Sequence, residues 1–215
     1  TFAERGAVLP MTFGHEVAGI VQAVGPEVNS VKPGQQVLVF PWIGCGECDA
    51  CNEDRESDCA TMRIIGLKQK GGFATHCLVE HDKFLVDIDG LDAADVVPHA
   101  CSGITVFNAL EKMGALRSDE WIAIMGCGGL GMNAISIARA MSFNNIIAVD
   151  IDNGKLEAAL EMGATKVLNS KNDDAVSELQ KLAEGRLMGV LDTFGGAETG
   201  RIAVRALSKA GRYLL

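Results

Sequence analysis

The chain has 215 residues, 48% of them hydrophobic and 22% charged, the balance of an ordinary folded globular protein and not of a disordered or collagen-like one. Nineteen Lys and Arg against 28 Asp and Glu leave a net charge of −9, with the basic residues scattered, so no positive patch suits nucleic acid. No run approaches the roughly 20 apolar residues of a membrane span, and Thr1–Pro10 is a short mixed run without the pattern of a signal peptide, so a soluble, cytoplasmic protein is expected.

From Thr12 to about Val86 the text is strand-like, with apolar runs such as Val17–Val24 and Gln36–Phe40 separated by Gly25-Pro26, Pro33-Gly34 and Gly71-Gly72. Inside this β-rich stretch, Cys45, Cys48, Cys51 and Cys59 give C-x2-C-x2-C-x7-C in a hydrophilic loop. Such clustering of four among seven cysteines favours a metal over a disulfide framework. Four thiolates complete tetrahedral zinc and leave no position for water, which marks a structural site. Free thiols in a polar loop would have no packing reason to cluster. An iron–sulfur centre shares the C-x2-C-x2-C run but not the seven-residue final gap.

After about Leu91 the period changes. Ala93–Leu110 reads as two helical stretches around Pro98. Strands over Trp121–Met125, Ile146–Val149, Lys166–Leu168, Gly189–Phe194 and Arg212–Leu215 then alternate with helices over Met132–Met141, Lys155–Met162, Ala175–Glu184 and Ala197–Lys209. This alternation predicts a doubly wound parallel sheet of the α/β class. The first strand runs into Gly126-x-Gly128-x-x-Gly131, where Gly126, Gly128, Gly129, Leu130 and Gly131 would meet a pyrophosphate at the following helix start. The next strand ends in Asp150, 24 positions after Gly126, where a carboxylate accepts ribose hydroxyls and disfavours an added phosphate; NAD is expected over NADP.

Two further positions gain meaning only together. Read alone, His15 in Gly14-His15-Glu16 suits a structural histidine and Cys101 a small buried hydrophobe, and periodicity cannot bring them together. Yet the order Gly-His-Glu, four clustered cysteines, Gly71-Gly-Phe-Ala74, Cys101-Ser-Gly-Ile-Thr105 and Gly-x-Gly-Gly-Leu-Gly resembles the medium-chain zinc alcohol dehydrogenases over essentially the whole chain.

That resemblance implies a GroES-like β-rich catalytic domain over 1–97 and a Rossmann domain over 98–215, both partial, with the active site in the cleft between them. It implies His15 and Cys101 as two ligands of a catalytic zinc, Glu16 as an acidic neighbour that tunes or transiently replaces a ligand, Thr105 near the nicotinamide, and Asp150 and Lys155 on the cofactor ribose. Cysteine at 101 is more like the alcohol than the polyol dehydrogenases, and the histidine with both cysteine sets argues against the zinc-free quinone and enoyl reductases. The implied activity is hydride transfer between an alcohol and NAD to give an aldehyde or ketone, by a full-length protein that self-associates. The alternatives are a zinc oxidoreductase acting on a polyol or an acyl-CoA-linked alcohol, and a non-catalytic relative that binds zinc and nucleotide.

The start at Thr1 and the end within an apparent strand, Gly211–Leu215, read as truncations. The third zinc ligand and the proton-relay hydroxyl that the resemblance implies would then precede Thr1, so the chain as given carries an incomplete site. Trp42 is a candidate for a substrate-pocket wall or for lobe packing, and His99 for the cleft or a helix cap. His76 and His81 are expected to be surface or structural, while Cys77 and Cys127 carry no expected chemistry.

Overall fold

A computed structural model describes residues 8–171 and 174–215, so the mixed run at the start begins outside the described residues. The chain divides into two compact units, one ending at Cys101 and one spanning Ser102–Leu215.

In the first unit, β1 (Val17–Ile20), β2 (Gln36–Val39), β3 (Trp42–Ile43), α1 (Asp49–Asn52), β4 (Arg63–Ile64), β5 (Leu85–Asp87) and α2 (Ala93–Val96) follow in chain order. An antiparallel sheet in the order β1-β2-β5 is joined by a small β3-β4 ribbon. The two-residue period of β2 explains the layering, because alternate side chains leave opposite faces of a strand. Val39 enters a core with Ile43, Ile65 and Phe84, whereas Leu38 packs with Ile88 and Ala100 beneath α2. The long apolar run predicted over Val17–Val24 is strand only as far as Ile20; Val21 still donates its N–H to the Gln35 carbonyl (2.9 Å) before the chain turns away.

The second unit continues with α3 (Ser102–Met113), β6 (Trp121–Met125), α4 (Gly129–Ala140), β7 (Ile146–Asp150), α5 (Asn153–Glu161), β8 (Lys166–Asn169), α6 (Ala175–Leu182), β9 (Leu187–Asp192), α7 (Ala197–Ala206) and β10 (Arg212–Leu214). All strands are parallel, in the order β10-β9-β6-β7-β8. This is the doubly wound order, and the winding reverses at β6, which has β7 on one side and β9 on the other. Every residue of β6 is buried. Ile122 and Ile124 face a core built with α3, α4 and α5, while Trp121, Ala123 and Met125 face one built with α6 and α7. A strand covered on both faces reads as a continuous apolar run, which is why its sequence shows no alternation.

Two of the boundaries that differ from the sequence reading have a local cause. Helix α4 begins at Gly129, not Met132, because the last two glycines of the fingerprint are themselves its first turn. Strand β9 ends at Asp192, not Phe194, because the Asp192 carboxylate accepts the N–H groups of Phe194 (3.1 Å) and Gly195 (2.9 Å) and turns the chain. Among the described residues no helix is long and apolar enough to cross a membrane.

Candidate active site

The four-cysteine loop is assembled from short local pieces. Cys45 follows β3, Cys48 stands at the N-cap of α1, Cys51 lies within α1, and Cys59 ends the turn after it. The four sulfurs all lie within 4.8 Å of one another. Cys48 Sγ is 3.5 Å and Cys45 Sγ 3.9 Å from Cys51 Sγ. Four sulfurs at the zinc–thiolate bond length around a tetrahedral ion would stand about 3.8 Å apart, so the donor set fits zinc. Gly44 makes room for this packing: a Cβ there would stand 2.5 Å from Cys51 Sγ and 2.8 Å from Glu56 Cγ.

As bare thiols the group is electrostatically uneven. The Thr61 hydroxyl, 3.5 Å from Cys59 Sγ, heads the causes that hold Cys59 down to about 6. The Cys51 backbone N–H acts in the same sense on Cys48, but hydrogen bonding with the Cys51 and Cys45 thiols outweighs it and pushes Cys48 up to about 11. Beside the loop, Glu56 is 9% exposed and pairs with Lys83 Nζ at 2.5 Å, which holds its carboxyl below the usual range.

A second donor set comes from distant parts of the same unit. His15 and Glu16 stand just before β1, and Cys101 sits between a 3-10 turn (Val97–Ala100) and α3. One ligating atom of each lies within 4.8 Å of the others. Glycines hold the histidine's backbone in place. Gly71, Gly72 and Phe73 donate their N–H groups to the carbonyls of Thr12, Gly14 and Phe13 (2.8–2.9 Å). A Cβ on Gly71 would stand 2.2 Å from the Gly14 carbonyl oxygen, and one on Gly66 2.5 Å from it. Imidazole, thiolate and carboxylate within reach of one point are a donor set for zinc that leaves room for an exchangeable position.

The glycine fingerprint shows a separate use for each glycine. Gly126 turns the chain at φ +89° and donates its N–H to the Val149 carbonyl (2.8 Å). A Cβ on Gly131 would collide with the Gly126 carbonyl oxygen at 1.8 Å, so α4 can start this close to the strand only without one. Around Gly128 and Gly129 a Cβ would meet nothing within 4 Å, which leaves their backbone open to approach, and no side chain caps the helix they begin. Exposed N–H groups at the start of a 12-residue helix favour an anion.

At the end of β7 the Asp150 carboxylate is fixed by three backbone donors: Cys127 N–H to Oδ2 (2.7 Å), and Ile151 (2.7 Å) and Asp152 (3.0 Å) N–H to Oδ1. Lys155 lies in the first turn of α5, its own N–H donated to Asp152 Oδ1 (3.1 Å), and Thr105 is exposed on α3.

Three residues at the end of β9 escaped the sequence reading. The Thr193 hydroxyl lies 2.9 Å from the Met125 and 3.0 Å from the Gly126 carbonyl oxygen, tying β9 to the glycine turn. Asp192, 2% exposed, accepts from the Tyr213 hydroxyl (3.0 Å) as well as from the turn after it. Phe194 is 74% exposed, as Ile151 at the end of β7 is 56% exposed, so large apolar side chains flank β6 at its carboxyl end. Asp192-Thr-Phe-Gly-Gly carried the signal, an acid followed by glycines at a strand end.

The remaining singled-out residues are accounted for locally. Trp42 packs edge-on against Phe40, centroids 5.4 Å apart, as lobe packing. His81 Nδ1 accepts the Lys83 N–H (3.1 Å) and caps a 3-10 turn; His76 is exposed beside Thr75 Oγ1 (3.1 Å); His99 is half-buried within the 97–100 turn. Cys127 is buried, and burial with the neighbouring Asp150 charge pushes its thiol up to about 11.

Residues 2–90 match the family model of the alcohol dehydrogenase GroES-like domain, and residues 129–215 match that of the zinc-binding dehydrogenases. The chain is 37% identical over 213 residues to an NAD-dependent alcohol dehydrogenase of Sulfurisphaera tokodaii, covering 99% of this chain and 61% of that protein. It is 38% identical over 179 residues to an alcohol dehydrogenase of Geobacillus stearothermophilus, covering 82% and 52%. Among solved structures, the alcohol dehydrogenase of Aeropyrum pernix superposes with a TM-score of 0.89 at 28% identity, over 97% of this chain and 62% of that one. The chain thus spans about three fifths of the length of these relatives. Two family domains in this order, the doubly wound sheet with its glycine turn, and two donor sets in the β-rich unit together show that the chain belongs to the medium-chain alcohol dehydrogenase family.

Proposed function

We propose that the full-length protein is a zinc-dependent alcohol dehydrogenase that uses NAD, with its catalytic domain in the unit that ends at Cys101 and its cofactor domain over Ser102–Leu215. His15 and Cys101 hold a catalytic zinc with Glu16 as the adjacent carboxylate, and Cys45, Cys48, Cys51 and Cys59 hold a structural one. The observation that carries the reading is the meeting of the His15, Glu16 and Cys101 ligand atoms within 4.8 Å, although His15 and Cys101 come from opposite ends of their unit.

When bound, zinc supplies Lewis acidity toward an alcohol or carbonyl oxygen, and NAD the acceptor or donor of hydride. The chain's own residues supply position. The Gly66–Gly71 packing fixes the backbone that presents His15, and Glu16 is an exposed carboxylate beside it that would tune or transiently replace a ligand. Gly128, Gly129 and the first turn of α4 receive the pyrophosphate, with Gly126, Leu130 and Gly131 shaping the turn. Asp150 and Lys155 take the ribose, Ile151 and Phe194 supply apolar surface for the base, and Thr105 lies toward the nicotinamide. Cysteines that serve as zinc thiolates suit a reducing, cytoplasmic setting.

The test is metal analysis and turnover of the full-length protein. Two zinc ions per chain, one of them lost in Cys101→Ser together with NAD-coupled oxidation of primary or secondary alcohols, is the expected result. One zinc, retained in Cys101→Ser, would leave a nucleotide-binding fold with a metal-pinned loop.

A further inference from the structure

The backbone of Cys101 has φ −122° and ψ −68°, outside the regular helical values, so no helical repeat sets the direction of its thiol. Its direction depends on how its two neighbours are held. On one side stands the 97–100 turn, anchored by buried Ala100. On the other stands Ser102, the first residue of α3 and itself 6% exposed. The Asn133 side-chain amide donates to Ser102 Oγ at 2.6 Å. Asn133 belongs to α4, one turn beyond Gly129.

We propose that Asn133 is a positioning residue for the metal centre. Its amide fixes the serine next to Cys101 and so aims the thiolate, and it does so from the helix whose first turn is offered to the dinucleotide. The inference rests on the ligand role given to Cys101 under the proposed function. Metal affinity at His15 and Cys101 therefore depends on a residue that touches neither the metal nor the substrate. Asn133 is half-buried on α4.

The experiment uses the full-length protein, freed of metal and titrated with cobalt(II), whose thiolate charge-transfer absorption reports each site. The difference from Cys101→Ser isolates the contribution of that cysteine, and the four-cysteine loop serves as an internal control of folding. Asn133→Leu is expected to weaken cobalt binding in the Cys101-dependent component about five- to tenfold, the scale of one lost hydrogen bond that orients a ligand, while the loop component stays unchanged. Asn133→Ala provides the same comparison without added bulk.

Ser102→Ala should lower cobalt affinity as well, and Asn133→Leu in that background should have no further effect, because its route through Ser102 is already gone. Wild-type affinity in both Asn133 variants, or an equal loss with and without the Ser102 hydroxyl, would overturn the inference while leaving the metal site standing. Absence of any Cys101-dependent absorption in the wild type would remove the ligand reading itself, and the inference with it.

Discussion

Gly128→Ala separates stability from binding. Gly128 has φ −86° and ψ −163°, which alanine adopts freely, and a Cβ there would meet no protein atom within 4 Å. Losing glycine's freedom in the unfolded chain favours the variant by about 0.4–1 kcal/mol, and the weaker N-cap preference of alanine offsets this by a similar amount. The expected change in stability is therefore within about 1 kcal/mol, or about 2–4 °C in Tm for a chain of this size. The space the methyl enters is where the proposed pyrophosphate would approach the α4 N–H groups, so NADH affinity should fall at least about tenfold, near 1.4 kcal/mol.

Gly131→Ala behaves differently, because its Cβ would stand 1.8 Å from the Gly126 carbonyl oxygen. The helix start must shift, at an overpacking cost of about 1–3 kcal/mol, and both stability and affinity should fall. Thermal melts with NADH fluorescence titration on both variants make the comparison. Wild-type NADH affinity in Gly128→Ala, or a loss of stability there as large as in Gly131→Ala, would refute the assignment of open and packed glycines.

In Gly71→Ala the added carbon would press on the Gly14 carbonyl behind His15, and metal analysis of the full-length protein should find one zinc lost and the four-cysteine zinc kept. Gly44→Ala should do the converse, since its Cβ would strike Cys51 Sγ and Glu56. Glu56→Gln should cost about 1 kcal/mol at pH 7 in denaturant melts, a modest figure because the Lys83 side chain is 38% exposed. Glu56 has a lowered folded-state pKa, so its contribution is fully present above the unfolded value near 4.5 and fades as pH falls through the folded one. The gap between wild type and Glu56→Gln should close on acidification below pH 4.5; a gap that widened there would contradict the ion pair.

Contiguous signals were the legible ones. The cysteine spacing and the strand–glycine–helix passage each encode a local structure, and both appear where the sequence puts them, since a few residues of backbone geometry suffice to form them. The approach of His15 to Cys101 is not local. It depends on the β1-β2-β5 sheet, on the packing of the 97–100 turn against Leu38 and Ile88, and on the Gly14–Gly66–Gly71 stack, none of which leaves a periodic trace. Family resemblance alone linked the two positions. Thr193 and Phe194 were hidden by composition: the apolar text runs on through Phe194, yet that side chain is exposed and the strand has already ended at Asp192. Hydropathy cannot tell a phenylalanine kept outside for a ligand from one kept inside for a core.

The three backbone donors on Asp150 leave a small remainder. A carboxylate has about four lone-pair directions; Oδ1 spends two on Ile151 and Asp152, and Oδ2 spends one on Cys127. Among the described residues a vicinal diol arriving at this carboxylate finds one vacant direction, on Oδ2, so seating one hydroxyl on each oxygen requires it to displace an amide from Oδ1, that of Ile151 or Asp152 at the entry to α5. Occupancy at the sugar would thereby loosen the turn that leads into α5, and a nucleotide lacking one of the two hydroxyls would leave that turn undisturbed.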